Sequence, residues 1–171
     1  MPVDKDLLKQ LIREYAPQLH VQDTDIDPER CLAALLSNES NFGKNTKPRV
    51  EKVYLPGGKY SKTALVKKAY KEYGESAASS LGPWQIMYVT ALELGFKGSP
   101  DELAEPENNL EMAIKYLNKR ALDKGVMTMS QVADCFNSGN AFDSVKPTGY
   151  IRKAIMAYNG LAKDFMADDQ T

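Results

Sequence analysis

Apolar residues recur at helical spacing along most of the chain, and the alternation typical of a half-buried strand is nearly absent. Near the start, for example, the apolar positions are Leu7, Leu8, Leu11, Ile12 and Tyr15. Helices that carry one apolar stripe must bury it against one another. At 171 residues, 43% of them hydrophobic, the chain is long enough for one such core and too short for a second full domain. We therefore predict a single all-α domain.

Prolines, glycines and capping residues set the expected helix boundaries. The first helix should span residues 4–16 and end before Pro17. Asp27 followed by Pro28 is an N-cap with proline at the first helical position, and it opens a helix that runs to about Ser40. Residues 41–60 are rich in glycine and proline and are expected to form a loop. The remaining helices are expected over 61–73 and 85–94, from Pro106 onward, from Thr128 to about Asn137, and from Pro147 onward.

The cysteine and histidine content bounds the chemistry. Cys31 and Cys135 stand among apolar residues on expected helices, and the chain has no CxxC motif or Cys/His cluster, which argues against structural zinc. Buried free thiols are the favoured interpretation, with a disulfide as the alternative. The one histidine, His20, lies beside a helix end broken by proline, so a Ser–His or Cys–His catalytic pair is disfavoured. We expect neither a metal nor a cofactor.

Hydropathy and charge bear on partners and location. No apolar run approaches the roughly 20 residues that span a bilayer, and the first residues are amphipathic and charged, so no export signal is visible. Between Lys44 and Lys71 the chain is strongly basic, with Glu51 as its one acid. Such a segment attracts an anionic polymer or forms a solvated face. A nucleic-acid partner has no other support, and we do not predict one.

Glu39 stands where a charged residue is out of place. Leu32, Leu35 and Leu36 precede it by seven, four and three residues, which puts the carboxylate on the same helical stripe as the leucines. Burial and the negative end of the helix dipole both raise the pKa of such a group. A glutamate that stays protonated near neutral pH is suited to general acid catalysis. The alternative is a helix-end glutamate that reaches solvent or pairs with a lysine.

Two other stretches add to this interpretation. In "SSLGPWQIMY", residues 79–88, a Gly-Pro break precedes Trp84, the only tryptophan, and Gln85. An indole face stacks on sugar rings, and an amide both donates and accepts hydrogen bonds. The alternative for Trp84 is a core residue. In "DCFNSGN", residues 134–140, a helix ends at Asn137, which by itself is an ordinary helix-end residue.

Taken in order, "ESNF", "GPWQIM", "NSGN" and "GYIRKAIMAY" resemble the motif series of the lytic transglycosylases and goose-type lysozymes. The resemblance covers about residues 28–160 and implies a lysozyme-like fold with a substrate groove. We accordingly expect an N-terminal helix within residues 1–26 that packs on a catalytic domain over 27–165. The catalytic domain carries an insertion at about 43–79, because members of the family commonly place the glutamine motif much closer to the acid.

The resemblance also implies roles for single residues. Glu39 matches the family's catalytic acid, and Tyr150 matches a late tyrosine whose hydroxyl lies near that acid. The residues expected to bind substrate are Ser40, Ser76, Trp84, Gln85, Met87, Asn137 and Tyr150. Two positions depart from the family pattern: Pro83-Trp84 replaces Leu-Met, and Cys135-Phe136 replaces Ala-Tyr.

The implied reaction is cleavage of the β-1,4 bond between N-acetylmuramic acid and N-acetylglucosamine in peptidoglycan. A lytic transglycosylase closes a 1,6-anhydro ring and needs no second carboxylate. The first alternative is a lysozyme-type muramidase, in which a second carboxylate such as Glu51, or after it Glu75, activates water. Glu51 is also open to an ion pair with Arg49 or Lys52. The second alternative is a non-catalytic module that binds peptidoglycan.

The resemblance implies action on the cell wall, in the periplasm or on the extracellular side, by what we expect to be a monomer. Because no export signal is visible, three routes stay open. They are delivery by a phage, as for an endolysin, export by another route, and trimming of a leader.

Overall fold

Helices make up most of the computed structural model, which describes residues 2–140 and 148–167. They are α1 (Lys5–Tyr15), α2 (Pro28–Ser40), α3 (Ala64–Tyr73), α4 (Tyr88–Glu93), α5 (Pro100–Ala104), α6 (Pro106–Arg120), α7 (Met129–Ser138), α8 (Gly149–Asn159) and α9 (Leu161–Met166). The all-α prediction is confirmed, although α5 and α9 are short helices that the sequence did not reveal. The expected start of a helix at Pro147 lies outside the described residues.

A small antiparallel sheet interrupts the helices. Its strands β1 (Arg49–Val50), β2 (Ser79–Leu81) and β3 (Ile86–Met87) lie in the order β1-β2-β3. The helix predicted over 85–94 is therefore wrong at its start, because Ile86 pairs with Leu81 and the helix begins at Tyr88. The predicted helix over 61–73 likewise begins later, where the Thr63 side chain accepts a hydrogen bond from Val66 N.

Helix α2 runs through the centre of the core. Its Leu32, Leu35 and Leu36 side chains are completely buried, and the helix packs against α8 and α9. Asp27 caps its first turn by accepting a hydrogen bond from Arg30 N, as the sequence predicts. The last turn of this rigid helix carries Glu39, so the position of that carboxylate is set by the core.

Helix α1, near the N-terminus, packs on this core and contacts the C-terminal end of the described chain. Leu8 and Ile12 are completely buried, and the Lys9 ammonium donates to the Ala167 carbonyl at 3.2 Å. Phe42, just after α2, stacks on Phe165 of α9 with ring centroids 4.5 Å apart. The N-terminal and C-terminal segments therefore pack beside the turn that follows Glu39.

The two cysteines and the lysines of the basic segment differ in their exposure. Cys31 and Cys135 are buried free thiols, as favoured from the sequence. The lysines between Lys44 and Lys71 are exposed, which fits a solvated face. Within the described residues, no helix is both long and apolar enough to cross a membrane, and no group of three or more His, Cys, Asp or Glu side chains is placed to hold a metal ion.

Candidate active site

A cleft of about 770 Å³ opens at the C-terminal end of α2. Its lining comes from β1 and the loop after it, from the β2–β3 hairpin, and from α3, α4, α6 and the end of α7. Glu39 lies in this cleft, so the carboxylate that the sequence singled out faces a space large enough for a ligand.

A tight turn at the end of α2 holds Glu39 in place. Asn41 adopts a left-handed backbone conformation (φ 51°) that ends the helix. The buried Ser40 hydroxyl accepts a hydrogen bond from Gly43 N at 2.9 Å and donates to the Leu36 carbonyl at 3.3 Å. Ser40 therefore fixes the turn that positions Glu39, and it is not among the residues that line the cleft.

Both oxygens of Glu39 accept hydrogen bonds. The Tyr150 hydroxyl donates to Oε1 at 2.6 Å, and the Arg49 guanidinium donates to Oε2 at 2.7 Å. Tyr150 is itself oriented on α8, where its carbonyl accepts a hydrogen bond from the Asn38 amide at 3.0 Å. The Glu39 side chain is only 7% exposed, whereas that of Arg49 is 55% exposed. Glu39 is thus a buried carboxylate with one firmly packed donor and one exposed donor.

These surroundings act on the pKa of Glu39 in opposite directions. Burial is the largest influence and raises the pKa, while the Tyr150 hydrogen bond and the Arg49 charge lower it. The negative charge of Glu51 raises it further, and the net effect is a pKa above the ordinary value for glutamate. The direction predicted from the leucine stripe is therefore confirmed. Burial and the neighbouring Glu39 also raise the pKa of Tyr150, so its hydroxyl stays protonated.

The turn between β2 and β3, beside the cleft, depends on Asn109, a residue that sequence reasoning missed. Asn109 is completely buried on α6. Its Oδ1 accepts a hydrogen bond from Trp84 N at 2.7 Å, and its Nδ2 donates to the Leu81 and Leu103 carbonyls at 2.8 and 3.1 Å. A Cβ atom on Gly82, which has φ +73°, would lie 2.5 Å from Asn109 Cγ. The only available signal for Asn109 was a polar residue beside the apolar stripe of α6.

Gln85 follows in this turn with a positive φ of 49°. Its Nε2 donates to the Gly82 carbonyl at 2.9 Å, which holds the side chain against the turn. Its Oε1 is buried and has no hydrogen-bond partner within the described part of the chain. Gln85 lines the cleft, so the side chain whose buried oxygen lacks a partner adjoins it.

A family model for the transglycosylase SLT domain matches residues 20–167 of this chain. The chain belongs to the transglycosylase SLT family. Searches of curated proteins and of solved structures found no match. At the level of the family, membership brings lytic transglycosylase activity on peptidoglycan, and therefore action at the cell wall. It also agrees with the lysozyme-like, mostly helical fold.

Trp84 does not have the place in this SLT domain that the sequence suggested. Its side chain is completely buried, and its indole N–H donates to the Leu32 carbonyl at 3.0 Å. Neither face of the ring is open to a sugar, so the expectation that Trp84 stacks on substrate is wrong. The core alternative holds, because the turn directs the indole toward α2.

Of the other residues expected to bind substrate, Met87 and Asn137 line the cleft of the SLT domain. Ser76 is exposed on a 3-10 turn, Gly74–Ala78, and is not among the cleft-lining residues. Ser80 and Ser138 line the cleft instead, and the Ser80 hydroxyl lies 3.8 Å from the Met87 sulfur. Ser76 therefore lies outside the cleft, contrary to the expectation that it binds substrate there.

The insertion supplies a wall of the cleft in this SLT domain. Arg49, Glu51, Tyr54 and Tyr60 all face it, and the two tyrosine rings lie 5.4 Å apart. Arg49 pairs with Glu39, which differs from the expected alternative of a pair between Arg49 and Glu51. Of these residues, only Glu51 had been singled out as a site residue, because a sequence does not reveal which way a long loop folds.

Proposed function

We propose that this protein is a lytic transglycosylase that cleaves the β-1,4 bond between N-acetylmuramic acid and N-acetylglucosamine, with Glu39 as general acid and base. The observation that carries the proposal is the buried Glu39 carboxyl, at the cleft of an SLT domain, with the Tyr150 hydroxyl 2.6 Å from Oε1. A raised pKa favours the protonated form that an acid catalyst needs.

The mechanism uses Glu39 twice. Protonated Glu39 donates to the glycosidic oxygen, and the bond from that oxygen to the muramyl C1 breaks. The acetamido group of the substrate stabilises the cationic C1, which is an accepted alternative to a second protein carboxylate. The Glu39 carboxylate then takes the proton of the C6 hydroxyl while that oxygen bonds to C1. The products are a 1,6-anhydro sugar and a free 4-hydroxyl, and Glu39 ends protonated without consuming water.

Tyr150 supports Glu39 in this scheme. After donation, the carboxylate is negative in a buried site, and the Tyr150 hydroxyl stabilises that charge. Gln85, Met87, Ser80 and Asn137 line the cleft, where a bound glycan would contact them. We assign these residues to substrate binding. Since one chain forms the whole cleft, we expect a monomer to act, on the periplasmic or extracellular side of the membrane.

A lysozyme-type muramidase is the second candidate, and Glu51 is the observation that favours it. Glu51 faces the same cleft, and its charge raises the pKa of Glu39, so the two carboxylates interact. An inverting hydrolase needs a second carboxylate that activates water from the opposite side of the sugar. The two candidates differ in whether the product has an anhydro or a reducing end.

Glu39→Gln tests the role of Glu39 in either candidate. The variant keeps the shape of the side chain but has no acidic proton, so clearing of a peptidoglycan suspension should slow by roughly 100-fold or more, while binding to sedimented peptidoglycan is retained. Glu14→Gln on the exposed face of α1 removes the same charge outside the cleft and should clear at the wild-type rate. Wild-type clearing by Glu39→Gln would contradict the proposal, and a wild-type chain that binds without clearing would favour the binding-module alternative.

A further inference from the structure

The two hydrogen-bond donors to Glu39, Tyr150 and Arg49, differ in how tightly the rest of the protein packs around them. Tyr150 is half-buried on α8, and its backbone is tied to Asn38. Arg49 lies on β1 at the edge of the sheet, and its side chain is 55% exposed. Arg49 can therefore leave Glu39 without disturbing the core, and Tyr150 cannot.

The contact with Arg49 fits an ionised Glu39. A guanidinium carries only donors and keeps its charge in proteins. Its 2.7 Å distance from Oε2 is that of a charge-assisted hydrogen bond. A general acid needs a proton on an oxygen that faces the glycosidic oxygen. Tyr150 donates to one oxygen and Arg49 to the other, so the guanidinium competes with a proton for Oε2.

We propose that Arg49 is a positioning residue that keeps Glu39 ionised and occupied in the free protein, and that the incoming glycan displaces it. This inference rests on the proposed function of Glu39. When Arg49 leaves, Glu39 takes up one proton from solvent, and that proton is the one donated to the glycosidic oxygen. Tyr150 stays on Oε1 throughout. Arrival of the glycan thus converts the buried carboxylate into the acid.

The charged surroundings of Glu39 support this sequence of events. Within the described ranges, the charged and titratable side chains that act on it are Tyr150 on α8, Arg49 on β1 and Glu51 just after β1. Burial and Glu51 raise the pKa of Glu39, whereas Tyr150 and Arg49 lower it. When Arg49 leaves, Tyr150 alone opposes burial, so the pKa of Glu39 rises. Glu39 should therefore stay protonated, and the complex active, up to a higher pH than the pKa of Glu39 in the free protein would permit.

The pH dependence of kcat and of kcat/KM separates these two states. The profile of kcat/KM reports groups of the free protein, and the profile of kcat reports groups of the complex. With soluble, uncrosslinked peptidoglycan glycan strands as substrate, we expect the alkaline limb of kcat to lie at higher pH than that of kcat/KM. In Arg49→Gln the limb of kcat/KM should move up toward that of kcat. Arg49→Lys, which keeps a cation, should restore part of the separation.

Controls separate this inference from the proposed function. Lys62→Gln removes the same charge from an exposed position in the insertion and should leave both limbs at their wild-type pH. Coincident limbs in the wild-type protein would overturn the inference, and this arm needs no variant to fold. The wild-type separation in a folded Arg49→Gln would also overturn it. Activity in Glu39→Gln contradicts the proposed function itself, whereas an inactive Glu39→Gln with coincident wild-type limbs contradicts only the role of Arg49.

Discussion

At the scale of single residues, the role proposed for Glu39 depends on Tyr150 and Arg49, which donate hydrogen bonds to it, and on Glu51, whose charge raises its pKa. The leucine spacing in "LLSNES" predicts a buried carboxylate with a raised pKa, and both are found. Tyr150 came from the family resemblance. Arg49 was considered only as a partner of Glu51 and as part of a basic cluster, because an ion pair between a helix end and a loop depends on how the loop folds. Trp84 was misassigned because its sequence neighbours do not reveal that the turn points the indole into the core.

Glu51→Gln tests the electrostatic description of Glu39. The charge of Glu51 raises the pKa of Glu39, so its removal lowers that pKa. Since the acid acts only when protonated, activity falls as pH rises through this pKa, and the alkaline limb of kcat/KM should move to lower pH in the variant. Glu75→Gln, exposed and not a cleft-lining residue, serves as the control. An unchanged limb in Glu51→Gln would contradict the proposed coupling.

Tyr150→Phe tests the support that the hydroxyl gives to Glu39. A hydrogen bond to a charged group contributes roughly 1.5–3 kcal/mol, so kcat on peptidoglycan should fall roughly 10- to 100-fold. The matched control is Tyr158→Phe, on the same helix, which removes a hydroxyl that accepts a hydrogen bond from Asp27 N at the far end of α2. Equal turnover of Tyr150→Phe and the wild-type protein would show that the 2.6 Å contact does not serve catalysis.

At the scale of elements, apolar spacing and proline positions predicted the long helices well. The sheet was missed because its strands have two or three residues, too few to show alternation. Gln85, with its positive φ, reverses the chain where sequence patterns suggested the start of a helix. That reversal also brings the glutamine motif to the cleft, so the element that was hardest to predict carries a large part of the site.

Asn109→Ala tests what holds this reversal in place. The substitution removes three hydrogen bonds to backbone groups and leaves those groups buried without partners, so the free energy of unfolding should fall by roughly 3 kcal/mol or more. Chemical denaturation measures this change. Asn159→Ala, exposed at the end of α8, should change stability by less than about 0.5 kcal/mol. A stable Asn109→Ala protein would mean that the turn is held by other contacts.

At the scale of the whole molecule, one core joins the described chain from α1 to α9. Leu8 of α1 lies against Gly43, because a Cβ atom added to that glycine would be only 2.6 Å from Leu8 Cδ1. Helix α1 therefore packs directly on the turn after Glu39. The family match begins at residue 20 and does not include α1. We propose that residues 1–26 nevertheless belong to the same folding unit as residues 27–165.

The adjacent leucines of α1 test this proposal. Leu8 is completely buried, whereas Leu7 is 41% exposed. Leu8→Ala should therefore lower the free energy of unfolding by about 3 kcal/mol through the cavity it leaves, in a single cooperative transition. Leu7→Ala should change it by no more than about 0.5 kcal/mol. Two separate unfolding transitions, or equal effects of the two substitutions, would show that α1 is not part of the core unit.

The most direct test of the central claim is mass spectrometry of the muropeptides that the wild-type chain and Glu39→Gln release from purified peptidoglycan. We expect products that end in 1,6-anhydromuramic acid from the wild-type chain and none from the variant. Products with reducing ends, heavier by one water, would instead establish hydrolysis and make Glu51 the second carboxylate. Anhydro products from Glu39→Gln would contradict the assignment of Glu39 as the acid and base.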